Sequence, residues 1–162
     1  VKEVFGNISG TGAEVIIAFL IANLIAQTAK VLTVAYRKRS FRWTIIFATG
    51  GMPSSHSSTV VAMATSVGLI DGFASTTFAF STCFALVVMF DAAGLRRNAS
   101  KQASVLNRII KEFFSHEQNV SKEKLKEFLG HTPTEVIVGG LLGIVVSVLL
   151  HWCYNSPDLS TF

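Results

Sequence analysis

Charge is scarce in this chain. Only 15% of its 162 residues are Asp, Glu, Lys or Arg, where about a quarter is usual for a water-soluble domain. Cysteine is nearly as sparse. Cys83 and Cys153 each lie in or beside an apolar run, with spacing that suits neither a zinc site nor a disulfide framework, so both are expected to be buried free thiols. Stacking aromatics interleaved with basic residues are missing, which argues against a nucleic-acid partner. No internal repeat or low-complexity tract interrupts the chain, and the length suits one domain. The chain begins at Val1 rather than Met, so some upstream sequence is expected to be missing and a signal or transit peptide would not be seen in it.

What is abundant is apolar sequence. Half of the residues are hydrophobic and the mean hydropathy is +0.50, a balance that favours a membrane protein. A spanning helix needs about 20 predominantly apolar residues. Residues 14–36, 57–70, 73–90 and 136–154 supply four runs, the second rather short. The expected fold is therefore all-α: an integral, multi-pass membrane helical bundle of about four spanning helices with peripheral amphipathic helices. The expected organisation is a polar segment at 1–12, one membrane-embedded domain at 13–154 and a tail at 155–162.

Within the first run, Asn23, Gln27 and Lys30 share one helical face. That face turns toward the protein interior or a wet cavity, or else Lys30 snorkels to the interface. A basic block follows at Arg37, Lys38, Arg39 and Arg42, and residues 43–49 are too short to span. Asp91 is expected to end the third span. After it, Val105, Ile109, Ile110 and Phe113 form an amphipathic stripe that packs on the bundle or lies on the membrane surface. Residues 121–129 read as a further short helix, with Gly130 as its stop. Thr132, Pro133 and Glu135 form a capping box with proline at the first helical position of the last span.

One stretch stands apart. Gly50-Gly51-Met52-Pro53-Ser54-Ser55-His56-Ser57-Ser58 places a glycine pair, a proline and a serine-flanked histidine directly before an apolar helix. Ser54 or Ser55 caps that helix, and amides at a capped helix start attract anions. The same residues also suit an ordinary capped loop with an incidental histidine.

Four alternating spans put Lys30, Arg37, His56, Asp91, Arg96, His131 and Glu135 on one membrane face. The basic loops share that face, so the positive-inside rule makes it cytoplasmic and puts both termini outside. Such a cluster suits a tetrahedral oxyanion. Lys30, Arg37, Arg96, Arg97 and the amides around Ser54, Ser55 and His56 supply positive charge and directed donors. One histidine attacks phosphorus while the other protonates the leaving oxygen, and a carboxylate orients the first. Metal binding competes for the same residues, but His56, His131, Glu135 and Asp91 form no compact ligand motif and their surroundings are cationic, so no metal or other cofactor is expected. Asp91 reads either as the polar end of a span or as an ion-paired site residue.

The sequence resembles a known family on these motifs. Lys30 and Arg37 with six residues between them, Pro53-Ser54-Ser55-His56, and His131 followed at the fourth position by Glu135 are similar to the three signatures of the type 2 phosphatidic acid phosphatase superfamily, which also takes in acid phosphatases and vanadium-dependent haloperoxidases. Similarity to its divergent branch runs from Gln27 to about Gly143 and includes 91–97, Lys101-Gln102 and 129–133. The resemblance implies His131 as a nucleophile forming a phosphohistidine, His56 as general acid, Glu135 as the group orienting His131, and Lys30, Arg37 and Ser54 as phosphate contacts, with vanadate entering the same pocket. Here Lys38 stands where the signature has proline, Ser55 where it has glycine, Glu135 where it has aspartate, and Leu125 where it has arginine. Arg96, Arg97 or Lys101 then supplies the missing cation. The expected substrate is a phosphorylated small molecule or lipid. A noncatalytic membrane protein keeping the fold and an anion pocket is the alternative.

Overall fold

The computed structural model describes residues 8–38, 51–113 and 130–156, leaving aside the side chains of Val34, Arg37, Lys38, Leu95, Arg96, Arg97 and Ser100. The segment at 43–49 and the short helix expected at 121–129 lie outside these residues. The described chain is helical: α1 (Gly12–Lys38), α2 (Ser55–Asp71), α3 (Thr76–Phe90), a π-helical turn (Asp91–Leu95), α4 (Arg96–Phe113) and α5 (Pro133–Asn155).

Among the described residues, three stretches are long and apolar enough to cross a membrane, Gly12–Thr33, Thr76–Gly94 and Pro133–Asn155, with mean hydropathies of 2.0, 1.6 and 2.3. Their large side chains point outward. Leu20, Leu24, Phe80, Val87, Leu141 and Leu149 are all exposed, an arrangement that water would penalise and hydrocarbon would not. α2 is different. Its 17 residues reach about 25 Å at 1.5 Å per residue, and it packs against α1, α3 and α5. The second expected span is thus the enclosed centre of the bundle.

Small residues let the backbones approach α2. Gly139 of α5 leaves no room for a Cβ against the Ser54 carbonyl, and Gly143 leaves none against the Ser58 carbonyl and the Ala62 amide. Ala22, Ala62 and Val146 join α1, α2 and α5 in one buried cluster, and Val60, Ala64 and Ala85 join α2 to α3. Close approach of this kind favours packing between helices whose outer faces already lie in apolar solvent. Ser147 Oγ donates to the Ala62 carbonyl at 2.6 Å and Ser58 Oγ to the Ala22 carbonyl at 3.3 Å, so these two buried hydroxyls are satisfied within the seam.

One expectation is corrected: Cys83 and Cys153 are free but exposed, on outward faces of α3 and α5. Asp91 caps the C-terminus of α3, and the chain then continues through the π turn into α4. Of the two places expected for the stripe Val105, Ile109, Ile110 and Phe113, packing on the described bundle is not the one seen, since the stripe is exposed. Apolar sequence in a membrane bundle faces lipid as readily as protein.

Candidate active site

The chain enters α2 through a tightly held loop. Gly51 has φ of +98°, a region that L side chains avoid, and a Cβ there would stand 3.3 Å from Lys30 Cγ. The Lys30 stem therefore runs along the loop where a side chain would otherwise be. Met52-Pro53 is a cis peptide. Ser54 is the N-cap of α2: its Oγ accepts from the Ser57 amide at 3.4 Å and from the Ser57 hydroxyl at 3.1 Å. Its own amide donates to the Glu135 carbonyl at 3.1 Å. That last bond ties the loop to the first turn of α5.

At the start of α5, Pro133 occupies the first turn and the capping box is complete, with the Glu135 amide donating to Thr132 Oγ1 at 3.4 Å and the Thr132 amide donating to Glu135 Oε2 at 3.1 Å. The same Oε2 lies 3.1 Å from His131 Nδ1. Capping and holding the histidine are thus two duties of one carboxylate oxygen. With Nδ1 donating to the carboxylate, the ring's lone pair is on Nε2, a buried atom. His131 is 2% exposed, and its amide donates to the Ala92 carbonyl in the π turn at 3.1 Å. The ring of His56, on the first turn of α2, lies 5.9 Å from that of His131, centroid to centroid, at 63° between planes.

The structure therefore gathers Lys30, Ser54, Ser55, His56, His131 and Glu135 at one end of the bundle. Lys30 is 2% exposed and stands within electrostatic reach of Glu135. A lysine enclosed at membrane depth is costly, which favours a functional use for it. Asp91 opens the π turn and is half-buried, next to the Ala92 carbonyl that holds His131. Arg37 lies seven residues beyond Lys30 on the same face of α1, and Arg96 and Arg97 begin α4 directly after the π turn; the side chains of these three arginines lie outside the described residues. Lys101 is exposed on α4 and is not enclosed with the cluster. His116 also lies outside the described residues.

Two features escaped the sequence reading. The Ser54 amide is spent on the Glu135 carbonyl, which no local pattern signals. At the opposite end of the bundle, His151 pairs with Glu14: His151 Nδ1 and Glu14 Oε1 are 2.7 Å apart. Only the four-residue spacing from Glu14 to Lys30 through small residues hinted that Glu14 would be enclosed.

These features define a helical membrane bundle with a buried histidine–carboxylate pair, a second histidine and a buried cation at one end. The chain belongs to the divergent PAP2 family, whose model matches residues 11–146. It is also similar to the Uncharacterized membrane protein YuiD of Bacillus subtilis (strain 168), 40% identical over 149 residues that cover 86% of this chain and 94% of that protein. No solved structure matches it.

Proposed function

We propose that this protein is a membrane phosphatase that hydrolyses phosphate monoesters or lipid phosphates through a phosphohistidine. The observation that carries the reading is the 3.1 Å contact between His131 Nδ1 and Glu135 Oε2 with the His56 ring 5.9 Å away. His131 Nε2 attacks phosphorus, the bond from phosphorus to the ester oxygen breaks, and protonated His56 gives its proton to the departing oxygen. Water then attacks the phosphohistidine, His56 takes the water's proton, and phosphate leaves with His131 regenerated. Glu135 steadies the ring through both steps, as carboxylates do for catalytic imidazoles. Lys30 and Arg37 are the cations assigned to the phosphoryl oxygens, with Arg96 or Arg97 in place of the exposed Lys101 as the further one, and amides at Ser55 and His56 in the first turn of α2. Asp91 is assigned to hold one of those cations.

An apolar groove of about 370 Å³ between α2, α3 and α5 favours a lipid substrate. It runs from Val61 and Met89, near the histidines, to Leu69 and Phe78 near the other end, and its lining suits an acyl chain. We further propose that α2 crosses the bilayer with the three longer helices and that the histidines face the cytoplasm, since the basic blocks flank that end.

A second reading, an anion-binding bundle without turnover, is favoured by one observation. The Ser54 amide is committed as a donor to the Glu135 carbonyl, and its Oγ accepts from Ser57 as the helix cap, although Ser54 is one of the residues expected to meet phosphate. The experiment that separates the two is turnover of a generic phosphomonoester and of lipid phosphates by the purified protein in nanodiscs, beside His131→Ala. Turnover that the variant lacks supports the phosphatase. Equal rates in both, or vanadate binding with no turnover by the wild type, rejects it.

A further inference from the structure

The Glu14 and His151 pair belongs to no part of that chemistry. Glu14 is 1% exposed. Its Oε1 meets His151 Nδ1 at 2.7 Å and its Oε2 accepts from the Gly10 amide at 2.8 Å. Asn155 Nδ2 donates to the His151 carbonyl at 2.8 Å, and Asn155 Oδ1 accepts from Ser9 Oγ at 2.9 Å. A buried carboxylate so fully engaged joins the first turn of α1 to the last turns of α5.

The spacing makes this more than an anchor. Lys30 follows Glu14 by sixteen residues, and His151 follows Glu135 by sixteen. On two antiparallel helices each interval is about 24 Å, so when one end pair meets, the other is in register. Between the two ends, Gly139, Gly143 and Ser147 of α5 face α2 and not α1, and Ala18, Ala22 and Ala26 are the buried positions of α1. α1 and α5 therefore touch each other less than each touches α2, through Ala22 and Ile21 beside Leu142, Val146 and Leu150. Packing on α2 sets part of their register, and the direct polar tie between the two helices at this end is the Glu14 and His151 pair. A slip of one turn moves a side chain by about 5.4 Å, which would take Lys30 off the loop it shares with Glu135.

We infer that Glu14 and His151 are positioning residues for the site at the other end of the bundle, setting the axial register of α1 against α5 and hence the place of Lys30 relative to Glu135 and His131. This inference rests on the proposed use of Lys30 as an anion contact.

The test uses the full chain in nanodiscs, with Cys83 and Cys153 replaced by alanine and spin labels at the outward positions Leu24 and Ile137. Glu14→Ala is expected to shift or broaden the label-to-label distance and to weaken vanadate binding by about tenfold or more, as misplacement of a binding group by ångströms does. Glu14→Gln, which keeps a hydrogen bond to His151, is expected to stay within about threefold of wild type. Ala85→Gly in α3, which also lowers the melting temperature, should leave both the distance and vanadate affinity unchanged. A distance and an affinity that stay at wild-type values in Glu14→Ala while its melting temperature falls would overturn the inference. If Glu14→Ala does not fold, His151→Asn is read in the same way. Should wild type bind no vanadate while the distance still responds to Glu14, the phosphatase reading fails and the register role stands.

Discussion

Glu135 Oε2 is the acceptor for both the His131 ring and the Thr132 amide, each at 3.1 Å. One side chain therefore caps the start of a membrane helix and holds an imidazole. The local sequence motif for a capping box and the spatial pairing of a histidine with a carboxylate coincide because His131 is the residue just before the N-cap.

The two duties come apart under substitution. Glu135→Gln keeps an acceptor oxygen for the cap but loses the carboxylate that stabilises a positively charged ring, so its melting temperature is expected to stay close to wild type while kcat for phosphomonoester falls by about 10²- to 10⁴-fold. Glu135→Ala should lose that activity and, in addition, about 1 kcal/mol of stability from the broken cap. Thermal unfolding and steady-state kinetics on the two variants read the terms separately. A Gln variant with wild-type kcat would confine Glu135 to capping.

Lys30 carries charge into the bundle, and Met fills nearly the same volume without it. Lys30→Met removes a desolvated cation but also a favourable neighbour of Glu135, whose carboxylate keeps its bonds to His131 and Thr132. These effects oppose each other, and stability is expected to change by no more than about 1 kcal/mol. Vanadate affinity should fall by at least about tenfold, the loss expected for one charge-assisted contact. Isothermal titration beside unfolding measurements checks both, and unchanged affinity would remove Lys30 from the anion site.

Gly139 and Gly143 test the seam itself. An alanine Cβ at either position would run into main-chain atoms of α2, which cannot rotate aside as a side chain can. Gly139→Ala and Gly143→Ala are each expected to cost about 1–3 kcal/mol, as overpacking does. Gly94→Ala meets nothing within 4 Å and should be neutral or slightly stabilising. Reversible unfolding in mixed micelles gives the ranking, and equal losses at 94 and 143 would contradict the packing described.

Much of this architecture was legible in the sequence because it depends on near neighbours along the chain. Helix length follows from runs of apolar residues, and the starts of α2 and α5 follow from Ser54, Thr132, Pro133 and Glu135, each acting within one turn. The grouping of His56, His131 and Lys30 followed from alternation of helices, a topological consequence of their lengths. Asp91 was legible as the end of α3, which it caps, but the π turn that carries the chain on into α4 has no local signature. The cysteines were misplaced, and the α4 stripe was left with two alternatives, for a different reason: periodicity identifies an apolar face but is silent on whether lipid or protein covers it.

The sequence by itself determined a chain of membrane-length helices with capped starts and one polar end, since each property is set by residues within a few positions of one another. Only the tertiary structure decided that α2 is the enclosed helix, that the Ser54 amide is spent on Glu135, that a single carboxylate oxygen serves both Thr132 and His131, and that Glu14 meets His151 across 137 positions of sequence. Those outcomes depend on how closely glycine and alanine allow separate helices to approach, which is settled by backbone-to-backbone distance and not by any pattern along one helix.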